Sequence, residues 1–133
     1  MIDIEAKVYT PIATALRTAH PGVSVSGEYV KAPSEFPFVS IVEEDNYTTL
    51  LHRDSADTER FATLMYEVNV YSNKGAKKKS ECKAIMATID ELMYAMNFTR
   101  LSLAPIPNME NASIYRMTAR YRAETDGTTI YRR

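Results

Sequence analysis

Apolar residues recur along the chain with two different periods, and the change from one period to the other predicts the order of the elements. Over residues 3–19 they return every three or four positions, which indicates an amphipathic helix with Asp3 as its N-cap. Pro11 lies inside this pattern and predicts either a kink or a new helix start capped by Thr10. The helix then ends at His20-Pro21-Gly22.

Alternating apolar and polar residues follow the helix, and they predict strands. The alternation holds over residues 23–30, and the run FPFVSIV at 36–42 is rich in aromatic and β-branched residues. Pro37 indicates that this second strand begins at a sheet edge or only after the proline. A further strand is predicted over residues 61–72, with the even-numbered residues from Ala62 to Val70 on its core face.

The segment between these strands, residues 43–60, is the most polar of the chain. Its sequence is EEDNYTTLLHRDSADTER. Six of its residues are acidic: Glu43, Glu44, Asp45, Asp54, Asp57 and Glu59. We interpret the segment as a polar arm, either a long loop, which in a compact domain is usually functional, or a hairpin whose strands extend beyond the core.

A second helix is predicted over residues 76–96, because an apolar stripe repeats there at three- and four-residue intervals. A short strand, FTRLSL, follows at 98–103, and SIYRMTARYRAE at 113–124 alternates strongly. One side of this last strand carries Arg116, Arg120 and Arg122, and the other side carries core residues. Asp126-Gly127 is typical of a tight turn, and residues 126–133 are predicted to be an exposed C-terminal tail that folds back or reaches outward.

This order of elements predicts a single α/β (α+β) domain over residues 1–133. The expected sheet is mixed and largely antiparallel, with four to six strands, two main helices packed on one face and a long polar hairpin or loop. Strands that lie close together in sequence favour this arrangement over a doubly wound parallel fold.

Composition narrows the possible functions. The formal net charge is −1, so the chain as a whole is not the strongly basic body of a dedicated nucleic-acid binder. One cysteine and two histidines provide no cluster for a zinc site, and no apolar run is long enough to cross a bilayer. We expect a protein made in a reducing cytoplasm, with no cofactor, no metal and no membrane partner.

The stretch YSNKGAKKKSE at 71–81 has the layout of a phosphate-binding loop but lacks the required residues. A Walker loop needs G-x-x-x-x-G-K-[ST], whereas Val70 stands five positions before Gly75 and Ala76 follows it. Lys77, Lys78 and Lys79 are unfavourably placed at a helix N-terminus. They belong either to a solvated loop, with the first helical turn near Ser80-Glu81, or to a surface that contacts DNA or an acidic neighbour.

The arginine face at 116–122 has two interpretations as well. It is the solvated outer face of a half-buried strand, or a surface that pairs with carboxylates of another protein or lines a DNA channel. We predict no enzyme: Cys82 lies on the apolar stripe, Asp90-Glu91 lie on the outer side of a helix, and no acid–base pair is evident.

Three stretches, GEYVKAPSEFPFVSIVEEDN, MYEVNVYSNKGAKKKSECKAIMATIDELM and ASIYRMTARYRAETDGTTIYRR, together with the order of elements, carry a resemblance to a known family. The chain resembles the neck and tail-completion proteins of tailed bacteriophages and prophages, and most of all the tail terminators of long-tailed phages. The resemblance covers nearly the whole chain and identifies no catalytic residue.

The resemblance implies a structural protein of the virion, made in the bacterial host. Proteins of this kind form a ring, commonly a hexamer, on the head-proximal end of the tail tube, where they end polymerisation of the tube protein and meet the head connector. Double-stranded DNA passes through the lumen without specific binding. Another neck component, either a head-to-tail joining or a minor capsid protein, remains an alternative; so do a small nucleic-acid-binding domain and a phosphate-binding regulator.

Overall fold

Two helices and six strands make up the part of the chain that the computed structural model describes, residues 1–48, 61–107 and 112–131. The helices are α1 (Glu5–Ala19) and α2 (Lys78–Ala95), and a 3-10 turn, Gly75–Lys77, leads directly into α2. The strands are β1 (Ser24–Ser26), β2 (Phe38–Thr48), β3 (Ala62–Ser72), β4 (Thr99–Ile106), β5 (Tyr115–Thr125) and β6 (Ile130–Tyr131). Neither α1 nor α2 is long and apolar enough to span a membrane.

The strands form one mixed sheet in the order β1-β2-β3-β5-β4, with β6 paired to β5 beyond β4. β1 is parallel to β2, and the other pairings are antiparallel. The predicted mixed α+β class is therefore confirmed. β2 begins after Pro37, as predicted, but the strand predicted over 23–30 is reduced to β1.

The first part of the predicted polar arm is regular structure. Residues 43–48 continue β2, and Thr48 lies opposite Ala62 of β3. The described residues thus favour the hairpin interpretation over the loop. Residues 49–60 lie outside the described part of the chain.

The core lies between one face of the sheet and the two helices. The even-numbered residues of β3 from Ala62 to Val70 are all buried there, as the sequence predicts. Four alternate residues of β5 join them: Met117, Ala119, Tyr121 and Ala123. The predicted stripe of α2 supplies Cys82, Ile85, Met86, Ile89 and Met93. A hydrogen bond of 2.9 Å between His20 Nε2 and Thr88 Oγ1 links the end of α1 to α2.

Helix α1 runs without interruption through Pro11, so the alternative of a new start capped by Thr10 is wrong. The proline occupies an exposed position. The carbonyl of Lys7, whose i→i+4 hydrogen bond Pro11 cannot provide, is also on an exposed residue and can be solvated. The N-cap residue is Ile4, without a side-chain cap hydrogen bond, so the prediction of Asp3 as N-cap is wrong. Asp3 lies one position earlier, and its Oδ1 accepts a hydrogen bond of 3.1 Å from the Glu5 N–H.

The C-terminal segment folds back along β5 as β6, which is one of the two courses expected for it, and Asp126, Thr128, Thr129 and Tyr131 are exposed. Asp126 Oδ1 accepts hydrogen bonds from the N–H groups of Thr128 and Thr129, and Gly127 adopts a positive φ of 95°. This turn brings β6 back along β5. Asn97, with φ 69° in the C-terminal cap of α2, donates from its side chain to the Ile130 carbonyl at 2.9 Å.

Replacement of Ile89 by alanine tests the core between α2 and the sheet. Ile89 is fully buried, so the cavity should lower the free energy of unfolding by about 2–5 kcal/mol, as measured by urea denaturation. Glu91→Ala on the exposed side of the same helix is the matched control, and its effect should be within about 0.5 kcal/mol. Equal effects of the two changes would contradict this assignment of the core.

Candidate functional site

Strand β4 is exposed along almost its whole length, at one end of the sheet. Every residue from Arg100 to Ile106 is exposed, and Leu101, Leu103 and Ile106 keep 50%, 39% and 37% of their surface accessible. β4 is the last strand in the sheet order and pairs along one side with β5. Three large apolar side chains left exposed on one outermost strand are typical of a surface for contact with another protein.

The backbone edge of β4 is poorly suited to pairing with a further strand. Its register against β5 shifts between Arg100 and Ser102, which places a bulge at Leu101. Pro105 lacks an N–H group, and Pro107 follows directly after the strand. Both devices are common on sheet edges that resist strand addition. Contact at β4 is therefore expected to use side chains rather than backbone hydrogen bonds.

Two depressions lie along the seam between α2 and β4, and together we call them the α2–β4 groove. One depression of about 300 Å³ is lined by Lys83, Met86, Ala87, Asp90, Arg100, Leu103 and Met117. A second, of about 360 Å³, is lined by Lys78, Pro105, Ile106, Pro107, Ala112, Ile114 and Tyr115. The lining is mostly apolar, and Lys78 and Lys83 contribute positive charge from the helix side.

Asp90 joins the wall of this groove to the core. The Tyr121 hydroxyl donates a hydrogen bond of 2.9 Å to Asp90 Oδ1, and Arg100 Nη1 lies 3.2 Å from the same oxygen. Burial, followed by the hydrogen bond to Asp90, raises the pKa of Tyr121 well above its usual value. Asp90 therefore does not lie simply on the outer side of the helix, because the sheet curves round to meet it.

The lysine run lies within the first helical turns, so the interpretation that places the first turn near Ser80-Glu81 is wrong. The 3-10 turn includes Lys77, and α2 begins at Lys78. Glu81 is an acidic residue in the first turn of α2, where it offsets the unfavourable cations in part. Its Oε1 accepts a hydrogen bond of 2.6 Å from Ser72 Oγ, and its Oε2 lies 3.4 Å from Lys74 Nζ.

The three predicted lysines do not share one environment. Lys77 and Lys79 are exposed. Lys78 is half-buried, donates to the Gly75 carbonyl at 3.4 Å and lines the α2–β4 groove. Lys83, which the sequence pattern did not indicate, lies five residues further along α2 and lines the other depression. The groove therefore has a basic rim rather than a phosphate loop.

The outer face of the sheet, opposite the helices, carries the predicted arginines, and Arg116 is engaged within the chain. Its Nε and Nη2 donate to Asn69 Oδ1 at 3.0 and 2.8 Å, and Thr118 Oγ1 donates to the same oxygen at 2.6 Å. The guanidinium also lies 5.4 Å from the centre of the Tyr71 ring. Asn69 is buried and Arg116 and Thr118 are half-buried, so this cluster joins β3 to β5 and is partly shielded from water.

Arg120 is also paired on this face. Its Nε lies 3.6 Å from Glu44 Oε2, and its Nη2 lies 3.6 Å from Glu67 Oε2. Glu44 and Glu67 are close enough to share a proton, which raises the pKa of Glu44 and lowers that of Glu67. The structure thus brings together Arg120 and one residue of the acidic arm, but within a single chain.

The structure does not bring Arg122 and Asp45 into the pairing around Arg120. Arg122 is half-buried, and its Nε has no hydrogen-bond partner in the described part of the chain. Asp45 is exposed, and its Oδ1 accepts from the Asn46 N–H at 2.9 Å. Asp54, Asp57 and Glu59 lie outside the described residues.

Glu43 points to the helix side of the sheet rather than outward. Burial raises the pKa of its carboxyl, and the nearby carboxylates of Glu5 and Asp3 raise it further. The same burial raises the pKa of the neighbouring Tyr66 phenol. Glu43 is therefore a partly buried charge beneath the start of α1, not part of a free acidic arm.

Side chains that could carry out chemistry do not converge among the described residues. Cys82 is buried, its thiol donates toward the carbonyls of Val70 and Tyr115, and burial raises its pKa to about 12. The thiol therefore stays protonated and unreactive. The described residues contain no group of three His, Cys, Asp or Glu side chains that could hold a metal ion.

Comparison with protein-family models and with curated proteins gave no match to this chain. The function proposed below is therefore based on the surfaces of the chain itself, above all on β4 and the α2–β4 groove.

Replacement of Asn69 by leucine tests the buried cluster on the outer face. The change leaves the donors of Arg116 and Thr118 without their acceptor, so the free energy of unfolding should fall by about 1–3 kcal/mol. Thr118→Val removes only one donor and should cost about 0.5–1.5 kcal/mol in the same urea titration. An Asn69→Leu protein as stable as the wild type would show that this oxygen does not hold the two strands together.

Replacement of Glu43 by glutamine tests the buried charge. Above its raised pKa, Glu43 is ionised in both the folded and the unfolded chain, and its burial lowers stability. This loss disappears as the pH falls below the ordinary value of 4.5. Glu43→Gln should therefore raise the melting temperature at neutral pH and give no gain below that value. The exposed control Glu28→Gln should have little effect, and a gain independent of pH would contradict the prediction.

Proposed function

We propose that the chain is a structural protein of a tailed-phage or prophage virion, which forms a ring at the head-proximal end of the tail tube. There it ends polymerisation of the tube protein and joins the tail to the head connector. The observation that supports this most directly is β4, an outermost strand with three exposed apolar side chains. Such a strand suits a protein whose role is to bind other proteins.

The position of β4 also favours a ring. In this fold, two helices pack on one face of the sheet, β4 lies at one end of the strand order, and β1 lies at the other. A contact between β4 of one copy and a different surface of the next is heterologous, and heterologous contacts close into rings when the rotation between copies allows it. A hexamer is the state that the resemblance to tail terminators implies.

Double-stranded DNA is proposed to pass through the lumen without specific binding. Arg116 and Arg120 have partners within the chain, which gives the alternative of a dedicated nucleic-acid-binding domain less support. Lys77 and Lys79 are exposed and remain candidates for the lumen wall. Tight binding of free duplex that weakens steeply with salt would favour that alternative.

Another neck component is the closest competing proposal, because it would use the same kinds of surface. A terminator binds the end of the tail tube, whereas a head-to-tail joining protein binds the head connector in the absence of a tail. Binding of the purified chain to tubes and to connectors, each offered alone, separates the two.

The test mixes the purified chain with polymerised tube protein of the phage or prophage that encodes it. Electron microscopy should show a ring at one end of each tube, and the tubes should stop growing. Leu101→Asp with Leu103→Asp should abolish the ring, since charge on β4 would have to be buried in the contact. Both side chains are exposed, so the melting temperature should change little.

Thr14→Asp on the exposed side of α1 adds charge away from β4 and is the control, which should still form rings. A wild-type chain that stays monomeric both alone and with tubes would exclude the proposed function. Rings that persist in the doubly substituted chain would show that β4 is not the contact.

A further inference from the structure

The side chains that line the α2–β4 groove indicate the chemistry of a segment that could bind there. Its lining is apolar from Met86 and Leu103 to Ile106 and Tyr115, and Lys78 and Lys83 stand on its helix side. No described carboxylate lies within ion-pair distance of either lysine. A segment that fits the groove therefore needs apolar side chains next to carboxylates.

The strand edge limits how such a segment binds. The bulge at Leu101 and the prolines at 105 and 107 disfavour addition of a further strand along β4. The occupant must therefore be recognised by its side chains, that is, by apolar contact with the groove and by charge on its rim.

The chain itself contains a segment of this chemistry. Residues 49–60 read TLLHRDSADTER: Leu50 and Leu51 are adjacent apolar residues, and the six residues DSADTE carry three carboxylates and no cation. Arg53 and Arg60 flank the acidic part. The segment connects Thr48 of β2 to Phe61 before β3.

Residues 49–60 cannot reach the basic end of the groove in their own chain. They follow Thr48, which pairs with Ala62, whereas Ile106 lies at the level of Tyr71 near the other end of β3. Lys78 lines the same depression as Ile106. The eleven residues of β3 separate these ends by about 33 Å. Twelve residues anchored on adjacent strands extend at most about 20 Å from their anchors. The end of the groove at Lys78 and Ile106 can therefore meet this segment only from another copy.

We infer that the α2–β4 groove of one copy binds residues 49–60 of a second copy, with Leu50 and Leu51 against the apolar lining and Asp54, Asp57 and Glu59 near Lys78 and Lys83. The contact is head-to-tail, since it joins the groove of one copy to a different segment of the next. The inference deepens the proposed function and rests on it, because ring assembly is what brings copies together.

A charge exchange between the two surfaces tests this pairing. One variant carries Lys78→Glu and Lys83→Glu, and the other carries Asp54→Lys and Asp57→Lys. Each alone should self-associate about tenfold or more weakly than the wild type, because like charges then face each other. An equimolar mixture should assemble again, since alternating copies restore opposite charges at every contact. Native mass spectrometry measures the assembled fraction, and circular dichroism verifies the fold.

The control variant carries Arg17→Glu and Lys31→Glu, which make the same change of charge at exposed positions outside the groove. It should assemble like the wild type. Either charge variant assembling normally by itself would overturn the inference, and so would a mixture that fails to recover. Either of these two overturning results would reject only the proposed contact between copies. The proposed function would stand as long as the wild-type chain still forms rings on tubes. Recovery in the mixture without any binding to tubes would support the groove contact and reject the terminator role.

Discussion

Burial of strand β3 on both of its faces is the constraint on which the rest of the structure depends. β3 is paired along its length with β2 on one side and β5 on the other. The helices supply an apolar cover for one face only. On the other face Thr63, Asn69 and Tyr71 are also removed from water, so polar groups there must find partners within the sheet. The cluster of Asn69 with Arg116 and Thr118 satisfies this requirement.

The same requirement decides which charged residues remain available for other molecules. On the outer face, Arg116 donates to Asn69 and Arg120 pairs with Glu44. Glu81 accepts a hydrogen bond from Ser72 where β3 leads into α2. β4 is different, because it extends beyond the cover of the helices and keeps its leucines in solvent. Charged groups are paired in the middle of the sheet, whereas apolar groups are exposed on β4, and for this reason we propose β4 and α2 as the surface that contacts other proteins.

The spacing of apolar residues was sufficient to predict the buried side chains of an element wherever that element packs against one continuous apolar layer. The stripe of α2 and the alternation of β5 both identified their buried side chains, because period and face are properties of a short segment. Partners distant in sequence were not predictable in this way. Asp90 contacts Tyr121, and Glu44 contacts Arg120, only because the curvature of the sheet and the register of its strands bring these residues together. One signal for β4 was present: apolar residues interleaved with Pro105 and Pro107 are typical of an edge strand.

By itself the sequence determined the α+β class, the core faces and the near-neutral charge, since these follow from periodicity and composition. It also placed a cationic run before a helix and arginines along a strand. The tertiary structure alone decided that two of those arginines pair within the chain, that the C-terminal segment returns as β6, and that Lys78 and Lys83 border an apolar groove. The physical reason is that exposure and pairing of a side chain depend on neighbours from other elements, whose distances are set by sheet register and helix packing rather than by spacing along the chain.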